Sequence, residues 1–402
     1  MKYIVIVADG MADLPLKELN YKTPLEVAST PNMNFLASNG RVGLLKTLSG
    51  NMPKTSEIAN LSILGYSPKK YFPNGRGPLE AHAIDLKLKN GEIAVRTNFV
   101  NVKNGILKHY SADNISTKEG KILIDALNKN FSNEKLKFYQ GEGYRGVLIL
   151  RKKYSEKVKC WPPHEIINKK VDDYLPKALN KSAKKTEKIL RELTLKSEKI
   201  LSEHWINKKR VKEGKLKANM VWFWGIGKYR RMPSFEEKFK INGALISSVP
   251  LLKGIAKAIK LSVPTVPRAN ASLDTNYEGK ADFALKELKR KGFVYLHLKA
   301  PDDLSHNGDF KGKIKAIEFI DKKVIGRILN KIKFKNFKIA VLADHTTSTE
   351  LRKHTLDPVP FLIYSSKKKV KNNIEKYCER TAKKSFHIVK GINFMKIFLE
   401  NA

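Results

Sequence analysis

The residues best suited to chemistry in this sequence are carboxylates and imidazoles that cluster at short spacings. Asp302 and His306 stand four residues apart, so one helical turn or a tight loop would direct both side chains toward one cation. Asp344 and His345 are adjacent, and His354 follows nine residues later. Carboxylate and imidazole ligands together suit Mn²⁺ best, then Zn²⁺, and Mg²⁺ least because it prefers oxygen. A single histidine or aspartate is usually a core or capping residue, but this clustering predicts a metal centre.

A serine at the start of a predicted helix offers a nucleophile. Thr55 and Ser56 precede an apolar run at 61–64, and one interpretation is that either residue is a helix N-cap. The amides and dipole at a helix N-terminus also stabilise an anion, so the same serine can carry a phosphoryl group. A metal ion on its hydroxyl would make it a nucleophile near neutral pH without a histidine base. The two interpretations are compatible.

Three short apolar, β-branched runs each stand ahead of an aspartate. They are residues 3–8 before Asp9, residues 293–298 before Asp302, and residues 337–343 before Asp344. Such runs are typical of buried parallel strands, and ligands bind beyond the carboxyl ends of such strands. We therefore expect the three acids to converge. Apolar residues at spacings of three and four over 314–328 predict a helix that covers the sheet.

The middle of the chain follows a different pattern. Apolar and polar residues alternate over about 80–110, and Asn90-Gly91 and Asn104-Gly105 predict hairpin turns. Further predicted elements are a helix that Ser116 and Glu119 cap and that ends near 128, strands at 135–139 and 145–151, and a basic helix at 183–206. The pattern predicts an α/β domain of residues 1–77 and 235–402, interrupted by a smaller α+β domain of residues 78–234.

The chain carries a formal net charge of +39, which has three candidate explanations. They are a genome-wide bias toward lysine, attraction of a small anionic substrate, and nucleic-acid binding. The lysines are spread along the whole chain without an aromatic-interleaved patch, which argues against nucleic acid. The two cysteines are far apart in sequence, which predicts a reducing compartment and no disulfides. No apolar stretch approaches about 20 residues, so we predict a cytoplasmic protein without a membrane partner.

Several segments, in order along nearly the whole chain, resemble the archaeal-type cofactor-independent phosphoglycerate mutases of the alkaline phosphatase superfamily. These segments are DGMAD at 9–13, KTPLE at 22–26, TPNM at 30–33, ANLSILGY at 59–66, GRGPLEA at 75–81, DTNYEGKA at 274–281, and Asp344-His345 with His354-Thr355. The resemblance implies an alkaline-phosphatase-like three-layer αβα domain with a mostly parallel sheet. The inserted domain would bind substrate and close over the site.

The resemblance also implies two divalent cations, with Mn²⁺ or Mg²⁺ preferred and Zn²⁺ or Co²⁺ as further candidates. One cation would be bound by Asp302, His306 and His354. The other would be bound by Asp9, Ser56, Asp344 and His345. Ser56 would take the phosphoryl group of 3-phosphoglycerate and return it to the 2-hydroxyl, which gives 2-phosphoglycerate without a bisphosphoglycerate cofactor.

The resemblance also extends to residues that would contact the substrate. Arg96, Arg145 and His164 match segments that would hold the substrate carboxylate or phosphate. The chain departs from the family pattern at Thr55 and Glu57 around the nucleophile, at Asn114, and at Gly146. Other phosphoryl transfer on the same scaffold, as a phosphomonoesterase or a proposed homoserine kinase, therefore stays open, as does the oligomeric state.

Overall fold

A computed structural model of the chain describes residues 1–72, 75–151, 153–368, 370–385 and 387–400. The chain divides into two compact units. The larger consists of Met1–Phe72 with Met232–Ala402, and the smaller is Pro73–Arg231. These divisions lie a few residues before the predicted boundaries at 78 and 235.

The strands are short and belong to four sheets among the described residues. They are β1 (Lys2–Ala8), β2 (Gly40–Lys46), β3 (Ile93–Lys103), β4 (Ile106–His109), β5 (Leu136–Gln140), β6 (Arg145–Leu150), β7 (Val158–Lys159), β8 (Lys177–Ala178), β9 (Met220–Lys228), β10 (Gly243–Ile246), β11 (Phe293–Leu298), β12 (Phe337–Leu342), β13 (Thr347–Ser348), β14 (Lys353–His354), β15 (Val359–Ser365) and β16 (Ile388–Lys390).

The helices connect these strands. They are α1 (Pro24–Val27), α2 (Pro31–Ser38), α3 (Ser56–Ile63), α4 (Pro68–Tyr71), α5 (Gly77–Ala83), α6 (Thr117–Phe131), α7 (Lys184–Ser202), α8 (Trp205–Lys212), α9 (Phe235–Phe239), α10 (Pro250–Ala258), α11 (Tyr277–Arg290), α12 (Ala300–His306), α13 (Phe310–Phe319), α14 (Arg327–Lys331), α15 (Glu379–Lys384) and α16 (Phe394–Leu399). Within the described part of the chain, no helix combines the length and the apolar character that crossing a lipid bilayer requires.

The larger unit is built on a sheet that is seven-stranded over the described residues, in the order β10-β11-β1-β12-β15-β2-β16. The run from β10 to β12 is parallel, and β15 is antiparallel to both of its neighbours. Nearly every residue of β1, β11 and β12 is buried, so both faces of these strands are covered. The predicted α/β class with a mostly parallel sheet is confirmed, and so are the three strands predicted ahead of the acids.

The smaller unit has an antiparallel sheet, five-stranded where the structure describes it, in which β3 pairs with β4, β6 and β9. Helix α6 packs against β5, and α7 packs against β9. Ser116 and Glu119 form the predicted capping box at the start of α6. Asn104 and Gly105 adopt positive φ in the turn between β3 and β4, which confirms that hairpin.

Two predicted local features are wrong, and a third, the helix over 314–328, is confirmed with a local irregularity. Asn90-Gly91 does not join two strands, because the chain before it contains helix α5, and its contacts are with residues 229–231 instead. The basic helix predicted at 183–206 is split into α7 and α8, since His204 leaves the helix and its side chain caps Ile206 N–H. The predicted helix over 314–328 contains a π-helical turn at Ile320–Gly326, between α13 and α14.

Candidate active site

The three predicted acids lie at one end of the parallel sheet, beyond the strands that precede them. Asp9 follows β1, Asp344 follows β12, and Asp302 lies in α12 just after β11. All three carboxylates are at most 1% exposed. Gly10 has a φ of +62°, and a Cβ there would approach Asp302 to 2.8 Å, so glycine is required for this close approach.

His345 is the point at which the three acids meet. Its Nε2 lies 3.4 Å from Asp9 Oδ1 and 3.5 Å from Asp344 Oδ2. Its Nδ1 lies 4.0 Å from Asp302 Oδ1. The structure therefore brings the acids predicted from separate strand ends into one buried cluster.

Asp302, His306 and His354 form the second half of this cluster. His354 Nε2 lies 3.2 Å from Asp302 Oδ1, and His306 Nε2 lies 3.5 Å from Asp302 Oδ2. The two imidazole Nε2 atoms are 3.0 Å apart. Donor atoms of Asp302, His354 and also His345 lie within 4.8 Å of one another, so His345 stands between the two predicted ligand sets.

Hydrogen bonds at Nδ1 fix the tautomers of these three histidines. His306 Nδ1 lies 2.9 Å from the Arg352 carbonyl, and His354 Nδ1 lies 2.7 Å from the Lys54 carbonyl. A carbonyl only accepts, so each Nδ1 carries the proton and each neutral ring keeps its lone pair on Nε2.

The tautomer of His345 is fixed in the same way, but by a hydroxyl group instead of a carbonyl. The Thr347 hydroxyl donates to Asp302 Oδ1 at 2.7 Å, so it accepts from His345 Nδ1 at 2.9 Å. The Nε2 lone pairs of the three rings thus converge on one buried region with the carboxylates. Such a set of donors repels itself unless a cation or a proton lies among them, and it fits a divalent metal ion.

Ser56 begins helix α3 beside this cluster. Its Oγ lies 3.1 Å from His345 Nε2. Thr55 occupies the N-cap position, but its side chain makes no capping hydrogen bond. Asn60 ties the helix to the site, because its Nδ2 donates to the Ser56 carbonyl and to Asp344 Oδ2, both at 2.8 Å. The Tyr295 hydroxyl donates to Asn60 Oδ1 and fixes that amide.

The charges in the site are only partly compensated by the protein. Lys299 Nζ forms a close ion pair with Asp302 and lies 3.3 Å from Asp9 Oδ2. Burial and the Asp302 charge would raise the pKa of Asp9, but Lys299 and His297 together outweigh them and the pKa falls to about 2. Burial raises the pKa of Asp344 well above its usual range, and the Asp9 and Asp302 carboxylates add to this. Burial lowers the pKa of His345 to about 3, so its ring is neutral near pH 7.

A buried ion pair anchors the loops that carry these groups. Lys313 and Asp13 are both 0% exposed at their side chains, with Nζ 2.8 Å from Oδ2. Lys313 Nζ also donates to the carbonyls of Ala12 and Thr347. The pair therefore joins α13 to the segment after Asp9 and to the Thr347 loop.

We expect Lys313→Met to lower the free energy of unfolding by about 3–5 kcal/mol, because it leaves the Asp13 charge buried without its partner. Urea denaturation of the purified protein measures the change. Lys311→Met, at an exposed position of the same helix, is the control and should stay within about 0.5 kcal/mol. A loss below about 1 kcal/mol in Lys313→Met would contradict the anchoring role.

The predicted substrate contacts lie together in the smaller unit. Arg96 on β3 stacks over Trp224 at 4.2 Å, and His164 meets the same ring at 5.7 Å. Arg145 lies opposite Asn98 in the β3–β6 ladder, two residues along from Arg96 on the same face. Arg96 pairs with Glu80 at 2.9 Å, but within the described residues its Nε is buried without a hydrogen-bond partner.

The electrostatics of this cluster favour an anion. Burial lowers the pKa of Arg96, and the neighbouring charges of Arg145 and Arg76 lower it further, while Glu80 opposes them. Like charges held this close in a partly buried position gain from an anionic ligand.

Residues that the sequence motifs did not single out also belong to the site. His297, Lys299, Asn60 and Thr347 all contact the predicted groups. Asn60 lies inside a motif that carried the family resemblance, and His297 and Lys299 immediately precede the Asp302 segment. Polar residues within or beside buried elements are unusual, and this could have marked the four residues as candidates. Their contacts with the site, however, depend on how the strands pair.

Comparison with known proteins identifies the family. The family model for 2,3-bisphosphoglycerate-independent phosphoglycerate mutase matches residues 37–207. The protein of that name from Methanosarcina barkeri is 40% identical over 403 residues, which cover 100% of both chains.

Two solved structures share the fold over nearly the whole chain. A Pyrococcus horikoshii protein has a TM-score of 0.82 and 32% identity, over 99% of this chain and 96% of its own. The cofactor-independent phosphoglycerate mutase of Thermoplasma acidophilum has a TM-score of 0.71 and 28% identity, over 99% of each chain. The resemblance stated from the sequence is confirmed: the chain belongs to the family of 2,3-bisphosphoglycerate-independent phosphoglycerate mutases.

Proposed function

We propose that the protein interconverts 3-phosphoglycerate and 2-phosphoglycerate through a phosphorylated Ser56, without a bisphosphoglycerate cofactor. The observation that carries this proposal is the convergence of imidazole lone pairs and buried carboxylates beside the Ser56 hydroxyl. Family membership supplies the substrate class, and the site supplies a nucleophile and its supporting groups.

The donor set suits two divalent cations. We assign Asp302, His306 and His354 to one, and Asp9, Ser56, Asp344 and His345 to the other. Mixed oxygen and nitrogen donors favour Mn²⁺, with Mg²⁺, Zn²⁺ and Co²⁺ as further candidates. When bound, such cations lower the pKa of a serine hydroxyl and neutralise the charge of a transferring phosphoryl group.

The residues of the chain position the nucleophile. Ser56 Oγ loses its proton and forms a new bond to phosphorus as the bond from phosphorus to the substrate 3-oxygen breaks. That oxygen takes up a proton, which leaves phosphoserine and glycerate. The position of Ser56 at the start of α3 would favour the phosphoserine, because the N-terminus of a helix stabilises an anion. Asn60 keeps the first turn of α3 fixed against Asp344 during this step. Attack of the glycerate 2-hydroxyl on the phosphoserine then releases 2-phosphoglycerate and frees Ser56.

The smaller unit would bind the anionic substrate through Arg96, Arg145 and His164. The formal net charge of the chain, +39, favours the approach of such a substrate. Cytoplasmic localisation and the lack of a nucleic-acid partner stay predictions from the sequence.

We expect Arg145→Ala to raise the KM for 3-phosphoglycerate about 10- to 150-fold, because a hydrogen bond to a charged group contributes about 1.5–3 kcal/mol. The Arg145 side chain is 34% exposed, so the fold should tolerate the change. Arg151→Ala, just beyond the other end of β6, is the matched control and should leave the KM unchanged. An unaltered KM in Arg145→Ala would remove this residue from substrate binding.

The function is tested by supplying purified protein and Mn²⁺ with 3-phosphoglycerate in the absence of bisphosphoglycerate. Formation of 2-phosphoglycerate is the expected result. Release of free phosphate as the main product would identify a phosphomonoesterase instead. ATP-dependent phosphorylation of homoserine, without turnover of phosphoglycerate, would support the kinase alternative.

A further inference from the structure

His297 is a fully buried histidine that faces the site from β11. Strand pairing sets it opposite Val7 of β1, two residues before Asp9. Its Nε2 lies 3.2 Å from Asp9 Oδ2. Together with one oxygen each from Asp9 and Asp344, it forms a group of donor atoms that all lie within 4.8 Å of one another.

The facing atoms of His297 and Asp9 do not satisfy each other. Over the described ranges, His297 Nε2 and both carboxylate oxygens of Asp9 are buried without a hydrogen bond of acceptable geometry. Buried polar atoms nearly always have a partner, so two facing groups of this kind point to a shared ligand. A carboxylate beside an imidazole lone pair is a cation-binding arrangement.

The contact of Ser247 with His297 is compatible with the tautomer that such a ligand needs. Its Oγ accepts the Val249 N–H at 3.0 Å and lies 3.3 Å from His297 Nδ1. The second lone pair of this oxygen can accept a proton from Nδ1, which leaves the lone pair of His297 on Nε2. The same arrangement occurs in the other three histidines of the site, His306, His345 and His354. In each of them Nδ1 is hydrogen-bonded to an oxygen and Nε2 is directed at the acids.

Lys299 limits where a cation can lie. Its Nζ is 3.3 Å from the same Asp9 oxygen and also pairs with Asp302. An ammonium group repels a second cation, so the cation must lie on the side of Asp9 that faces Asp344. That side is also where Asp344 completes the donor group with His297.

We propose that His297 Nε2 is a further ligand of the cation that Asp9 and Asp344 hold, which rests on the metal centre of the proposed function. His297 then binds this cation together with Asp9, Ser56, Asp344 and His345. The family resemblance did not assign this ligand to the chain.

The first test is a Mn²⁺ binding isotherm on the full chain, stripped of metal and then titrated. We expect two Mn²⁺ per wild-type chain. In His297→Asn, which keeps an amide near Ser247 but lacks the Nε2 donor, one of the two dissociation constants should rise about 100-fold. His204→Asn, which replaces a capping histidine in the smaller unit by another good N-cap residue, should leave both constants unchanged.

The second test locates the ligand directly and does not depend on a variant that folds. A crystal structure of the wild-type protein with Mn²⁺, with anomalous scattering from the metal, should place His297 Nε2 about 2.0–2.3 Å from one cation. Two bound cations with Nε2 beyond about 3 Å from both would overturn this ligand but leave the metal centre intact. Wild-type protein that binds no Mn²⁺ would overturn the proposed metal centre itself.

Discussion

Ser56→Ala is expected to abolish the mutase reaction, with a loss of at least about 10⁴-fold in kcat, because the hydroxyl that takes the phosphoryl group is gone. The helix that carries it should be unaffected, since Asn60 bonds to the backbone carbonyl of residue 56 and not to its side chain. Conversion of 3-phosphoglycerate by the purified variant, with Mn²⁺ in excess, measures the effect.

Ser62→Ala is the matched control, because Ser62 lies on the same helix but its side chain has no ion pair or hydrogen bond with the three acids among the described residues. We expect the Ser62 variant to retain mutase activity within about tenfold. A Ser56→Ala protein with activity close to the wild-type level would exclude the serine as nucleophile, whatever the metal content.

Removal of bound metal is expected to have the second-largest effect. Chelation should lower mutase activity by at least about 10³-fold, and added Mn²⁺ should restore it, because in the proposed mechanism the metals supply the charge that activates the serine and neutralises the phosphoryl group. The apoprotein should also be less stable. Asp9, Asp302 and Asp344 stay buried together, Lys299 pairs with Asp302 and Asp9, and the pKa of Asp344 is already raised.

Thermal unfolding with and without Mn²⁺ measures this second effect. Each site contributes about 2.7 kcal/mol when free Mn²⁺ is at 100 times its dissociation constant. The comparison variant is Asp302→Asn, which should lose about half of the Mn²⁺-dependent stabilisation, because it removes a ligand of one of the two proposed cation sites. An unfolding temperature of the wild-type protein that is the same with and without Mn²⁺ would contradict the metal centre.

The strand ends of the larger unit could be predicted from the sequence because the signal there is local. A buried parallel strand needs an unbroken apolar run, and the acids that follow such runs must share the carboxyl edge of the sheet. Asp9, Asp302 and Asp344 meet in the structure for that reason. The pairing of Asp302 with His306 followed likewise from the spacing of one helical turn.

Other features depend on contacts that no local pattern records. The Asn90-Gly91 turn has the composition of a hairpin, but helix α5 precedes it and its backbone bonds to a distant strand end. His204 interrupts a helical periodicity because its side chain caps the next helix. His297 looks like an ordinary strand residue until the parallel register brings it beside Asp9.

The most direct test of the central claim is to stop the reaction with acid during turnover of 3-phosphoglycerate by the Mn²⁺-loaded protein, and to locate phosphate on the chain by mass spectrometry. We expect a phosphate on Ser56, formed within the first turnover and absent from Ser56→Ala. Steady formation of 2-phosphoglycerate without phosphate on Ser56 at any time, or with phosphate on another residue, would contradict the account.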